Sequence, residues 1–212
     1  MSVGPVDGAD GGAGQVAEKT ALLNILERRR QFLLATATGL TEEQARSAPT
    51  TSSLSIGGMV KHCTFVEAQW IDFAVRGAVA FEQPGWEQIE EDPGAAIATG
   101  ETESEPTARG ADWDGSAAPD WSAVWDAQNA LGPQETLADA VGRLLDQGSR
   151  TAELVHGLDL DAAHPLPQAP WFEAGAIWSG RDAVLHIIAE LAHHSGHADI
   201  IRETIDGTKI MG

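Results

Sequence analysis

Helical periodicity runs through nearly every apolar segment of this chain, and no stretch alternates apolar and polar residues as a half-buried strand would. Leu22, Leu26 and Leu33, with Leu23 alongside, mark a first helix from about Val16 to Gly39, on which Arg28 to Arg30 read as a solvated patch. Thr41, followed by Glu42 and Glu43, predicts a short capped helical turn. A second helix runs from about Ser55 to Arg76. At about 100° per residue, Ile56, Met59, Cys63, Val66, Trp70, Phe73 and Ala74 form one stripe with His62 at its edge. Leu137, Val141, Leu144, Leu145, Ala152 and Val155 define a third helix, from about Gln134 to Gly157. The last runs from about Arg181 to Ile205 and stops at Gly207. Four long amphipathic helices bury their stripes most simply against one another, so the predicted fold is an all-α helical bundle.

Three segments stand outside this rhythm. Residues 1–15, with five Gly and no apolar period, read as a disordered leader. Residues 82–126 hold twelve acids, one base (Arg109) and four Trp (Trp86, Trp113, Trp121, Trp125), and read as a long acidic insertion between the second and third helices. A short helix is expected within it near Trp121–Gln128, and the Trp residues suggest that parts of it dock as a wall or lid. Asp159–Gly180 is a Pro-rich connection carrying Trp171, Phe172 and Trp178. With 212 residues, the chain has room for one domain over 16–212.

Composition narrows the partners. Thirty-two acids against thirteen bases give a net charge of −19, a field that repels nucleic-acid backbones and anionic membrane surfaces. No apolar run is long enough to span a bilayer, and the N-terminus lacks the basic and apolar regions of a signal peptide. Cys63, the single cysteine, excludes an intramolecular disulfide and any Cys-rich metal site. A cytoplasmic protein is expected. A homodimer through an apolar helix face is compatible with the pattern.

The chemistry concentrates in the last helix, which holds His186, Glu190, His193, His194 and His197. Stepping round it from His186, His194 at about 80° and Glu190 at about 40° come closest to the aliphatic face, centred near 135°. His197, His186 and His193 lie progressively further round, and His193 should point to solvent or a loop. A carboxylate and an imidazole one turn apart converge from one helix face and make half of a divalent-metal site. His62 is the best third ligand, because His156 and His164 fall at a helix end and in a loop. His62, Glu190 and His194 would leave coordination positions open, as catalytic rather than structural zinc does. His193 and His197 form a rival pair, ranked second for their distance from the apolar face.

The segment from Leu54 to Trp70 carries a small-residue turn, then His62, Glu67 and Trp70, and resembles the second-helix motif of the DinB-like superfamily. The segment from Asp182 to Gly207 resembles the fourth-helix motif of that superfamily's actinobacterial branch. The resemblance implies an up-up-down-down four-helix bundle and a metal, usually zinc or nickel, held by one His of the second helix and two residues of the fourth. Many members use HxxxH in the fourth helix. Glu190 in place of the first His looks like the His–Glu–His set of mycothiol-dependent maleylpyruvate isomerase and related mycothiol S-transferases. The carry-over lands on His62, Glu190 and His194. Trp70 reads as core and Glu67 as an inter-helix pairing residue.

That likeness implies an enzyme in which a metal with an open position lowers the pKa of a small thiol, mycothiol by resemblance, for attack on an electrophile. The product would be an S-conjugate or, after rearrangement, an isomer. Cys63, within the core stripe, is not expected to be the nucleophile. His186 is expected to hydrogen-bond to Glu190 from behind, and His197 to contact Glu190, His194 or the substrate. Arg181 and Arg202 could bind an anionic part of the thiol or substrate, or simply be solvated helix ends. Two other classes fit the same residues: a hydrolase using metal-bound water, and a non-catalytic binding module on the same bundle.

Overall fold

The computed structural model describes residues 10–81, 128–167 and 172–210, with side chains from residue 14 onward. The acidic insertion, its expected short helix up to residue 127 and the first nine residues of the expected leader lie outside the described residues. Among the described residues, helices α1 (Asp10–Ala37), α2 (Glu42–Arg46) and α3 (Ile56–Arg76) are followed by a 3-10 turn at Gly77–Phe81. Then come α4 (Leu137–Gly157), a ribbon of β1 (Ala163–Pro165) and β2 (Ile177–Ser179), and α5 (Gly180–Asp206). Helix α1 thus starts ahead of the expected Val16. No described helix is long and apolar enough to cross a membrane.

Local chemistry fixes most of these boundaries. Thr41, Thr136 and Ser179 each accept a hydrogen bond from the third residue of the helix they open, and Gln44, Asp139 and Asp182 return the bond, closing three capping boxes. Ser55 caps α3 by accepting from the Gly58 amide. Gly207 ends α5 at φ 80°, a left-handed conformation that costs a glycine nothing.

The four long helices pack in a ring, α1 beside α5, α5 beside α3, α3 beside α4 and α4 beside α1. Their directions correct the up-up-down-down order. Glu18 meets Arg181 at the start of both helices, and Arg202 reaches the Thr36 carbonyl at the end of both, so α1 and α5 are parallel. Lys19 reaches the His156 carbonyl, so α4 runs opposite to α1. Lys61 pairs with Glu135 just ahead of α4, so α3 shares its direction. The order is up-down-down-up. Helix α2 explains it, for it packs beside the first turn of α3, where Gly57 lies against the Ala45 carbonyl, so α3 begins where α1 ends. At Gly58 a Cβ would sit 1.9 Å from the Asn129 carbonyl oxygen, so the small-residue turn of the motif admits a crossing segment.

The ribbon between α4 and α5 was not expected from the sequence. Its three residue pairs, Ala163 with Ser179, His164 with Trp178 and Pro165 with Ile177, seat Trp178 one residue before the cap of α5. Three residues per strand are too few for alternation to show.

The stripes read from the sequence form the core except at Leu145, which α4 turns to solvent, and Leu26, Leu33, Ile56, Met59, Phe73, Leu144 and Ile187 are fully buried. One expectation fails here. Arg30 is not part of a solvated patch: it is 3% exposed and donates through Nη2 to Glu67 Oε1 at 2.6 Å, across the diagonal of the bundle. Glu67 is the inter-helix pairing residue the motif suggested. Gly148 of α4 makes room for the guanidinium, since a Cβ there would lie 2.5 Å from Arg30 Cζ.

Candidate metal centre

His62 lies in the second turn of α3, and Glu190 and His194 stand one turn apart in the middle of α5. Because α3 and α5 are antiparallel neighbours, residues eight apart on each helix match in reverse. His62 meets His194, with ring centroids 4.7 Å apart, and Trp70 meets His186, with centroids 4.5 Å apart. Potential ligand atoms of His62, Glu190 and His194 all lie within 4.8 Å of one another. Among the described residues they are the one group of three or more such side chains that converges in this way.

The electrostatics of the cluster suit a cation. Burial is the main cause that lowers the His62 pKa to about 4, helped by His194 and opposed by Glu190, so this imidazole is neutral at pH 7 with a nitrogen lone pair to offer. A hydrogen bond from His194 holds the Glu190 carboxyl below its ordinary value, with the neighbouring imidazoles adding to the effect. His194 Nε2 is 3.5 Å from Glu190 Oε2 and His186 Nε2 is 3.6 Å from Glu190 Oε1. His194 Nδ1 is buried without a hydrogen-bond partner, which is costly unless something else takes up its lone pair or proton. Two imidazoles and one carboxylate, partly open to solvent, are a donor set that suits a borderline divalent ion.

The other candidates separate cleanly. His186 stands beside Glu190, half-buried against Trp70 and Trp178. His197 and His193 are both exposed, and the His197 ring centroid is 5.8 Å from that of His194. Arg181 is not brought to the cluster: it pairs with Glu18 and Asp161, about 13 Å along α5 from Glu190. Arg202 is buried and donates to the Thr36 and Thr38 carbonyls and to Asp206, tying down the end of α1. Cys63 is a buried free thiol whose pKa burial pushes up, the reverse of what a nucleophile needs.

Sequence reasoning missed the aromatic wall beside the cluster. Trp178 stacks on Trp70 at 4.8 Å, and Phe172 closes on both rings at 6.1 Å. The signal was present in part, since Trp70 and His186 are each eight residues from a proposed ligand. Placing Trp178 there needed the ribbon.

Fold and cluster together define a four-helix bundle with a two-histidine, one-carboxylate site between antiparallel helices. The family model for mycothiol S-transferases matches residues 21–113 and 106–207, and the chain belongs to that family, a branch of the DinB-like superfamily. No curated protein and no solved structure matches the chain.

Proposed function

We propose that this chain is a metal-dependent S-transferase that joins a low-molecular-weight thiol, mycothiol, to an electrophilic small molecule. The observation that carries the reading is the convergence of His62, Glu190 and His194 from two helices, in a chain of the mycothiol S-transferase family. These three would hold a divalent ion, zinc or nickel. Bound there, the ion would lower the pKa of a thiol and favour its thiolate near neutral pH.

The chain's own residues prepare that chemistry. Burial keeps His62 neutral, so it has a lone pair to donate rather than a proton to lose first. His186 flanks Glu190 and restricts the carboxylate, while Trp70 and Trp178 shield that side from water. His197 marks the exposed rim, where thiol and electrophile would arrive. In the overall reaction the thiol proton is released, sulfur forms a bond to the electrophilic carbon, and any leaving group departs with its electron pair. With Arg181 and Arg202 engaged in helix packing, recognition of anionic groups falls to other residues. We place the protein in the cytoplasm with small-molecule partners, in keeping with its acidity.

Metal analysis of the purified protein and turnover of a generic electrophile with and without mycothiol test this reading. About one zinc or nickel per chain with thiol-dependent conjugation is the expected result. Metal with thiol-independent hydrolysis would replace the transferase by a hydrolase, and failure to bind metal after reconstitution would overturn the mechanism.

A further inference from the structure

We propose that His193 and His197 form a second, solvent-facing divalent-cation site on α5, from which ions pass to the inner cluster. The two residues are one turn apart and exposed, their rings lie within 11° of parallel, and their centroids are 6.1 Å apart. They stand in a shallow open groove whose other walls are Ala189, Ala192, Gly196 and Ile200. Small side chains leave the imidazoles uncrowded, and exposed rings can turn to a chelating rotamer at little cost.

An imidazole pair at this spacing selects borderline cations, with Cu2+ held more tightly than Ni2+ or Zn2+. Once one ring binds, the second is delivered at high effective concentration. Two neutral ligands still leave most coordination positions to water, so the outer site should be weaker and faster to exchange than His62–Glu190–His194. The net charge of −19 raises the local concentration of cations around it. His197 faces both ways, stacked on His193 and edge-on to His194 at 5.8 Å, so the outer pair adjoins the inner ligands. The binding claim stands on the pair alone, whereas the passage of ions inward rests on the metal reading of the inner cluster.

Copper titration of the metal-stripped full chain, followed by calorimetry and electron paramagnetic resonance, tests the binding claim. Wild-type protein should show a tight and a weak event. His193→Ala should lose the weak event and keep the tight one, and His197→Ala should also lose the weak event. His62→Ala should lose only the tight event. A weak event that survives in His193→Ala overturns the outer site, as does a wild type with one event that only His62→Ala removes. A single event removed by His193→Ala but not by His62→Ala would keep the outer site and sink the inner one. For the passage of ions, zinc uptake by His193→Ala should reach the same inner occupancy more slowly than wild type. Equal rates would overturn the loading role.

Discussion

Two polar clusters among the described residues of the bundle are built to opposite plans. Between α1, α3 and α4, Arg30 meets Glu67 in a pair with 4% and 0% of the side chains exposed. Between α3 and α5, Glu190 faces the imidazoles of His62, His186 and His194, and part of its carboxylate is open to solvent. In the first cluster the protein supplies both charges, Arg30 pairing with Glu67 inside and with Glu27 at the edge. The second gathers donors around one negative charge and supplies no cation of its own. Burial raises the Glu67 carboxyl against the pull of Arg30, whereas Glu190 is held low by the imidazoles around it. What distinguishes a structural polar pair from a binding site here is the identity of the partner, more than depth in the core.

The largest effects should separate the clusters by kind. His194→Ala removes one of three proposed ligands, and we expect loss of metal binding and of thiol-dependent turnover with the fold retained by circular dichroism. His193→Ala should leave the inner metal in place. If the two variants exchange behaviour, the wrong helix face has been assigned. Arg30→Ala should act on stability instead, costing about 3–5 kcal/mol in denaturant unfolding because it strands a buried carboxylate. Arg30→Met with Glu67→Leu should recover most of that loss. A double variant as unstable as the single would show that the pair does more than neutralise itself.

Acid should destabilise the metal-free protein through the second cluster. His62 titrates near 4 in the fold and near 6.5 when unfolded, so between those values the unfolded chain binds the extra proton. Stability then falls as pH drops from 6.5 towards 4, by up to about 3 kcal/mol. Glu190, held low in the fold, loses its contribution further into the acid range, with the same sign. His62→Gln should flatten the upper part of this dependence in chemical denaturation curves, and an unchanged slope would remove His62 from the account.

Much of this was legible because helical period is a strong signal. The second-helix stripe and the ranking of Glu190 and His194 over His193 and His197 follow from stepping around a helix, and the Gly207 stop from the left-handed turn that a glycine admits. The burial of Arg30 was legible by the same rule, since it lies four residues after Leu26 and three before Leu33, but its charge masked the period. Helix direction was not legible in this way. A connection of unknown path between the first and second helices is compatible with either sense, and only the packing of α2 against Gly57 decides it. Arg181 and Arg202 illustrate a further limit. Position near a helix end says that a guanidinium is available, while its partners, Glu18 and the Thr36 carbonyl, come from a different helix.

The smallest effect gives the sharpest test of the closed cluster, because its sign should reverse. Gly148 lies within α4, where alanine is favoured over glycine by about 1 kcal/mol on helix propensity alone. In the wild-type background the added Cβ would stand 2.6 Å from Arg30 Nε, so the guanidinium must shift away from Glu67. We therefore expect Gly148→Ala to destabilise by about 1–2 kcal/mol despite the propensity gain. In an Arg30→Ala background the obstruction is gone, and the same substitution should stabilise by roughly 1 kcal/mol as it fills space and stiffens the helix. Denaturant unfolding of the four proteins measures this coupling directly. Equal effects in both backgrounds would mean that the glycine serves α4 for some reason other than making room for Arg30.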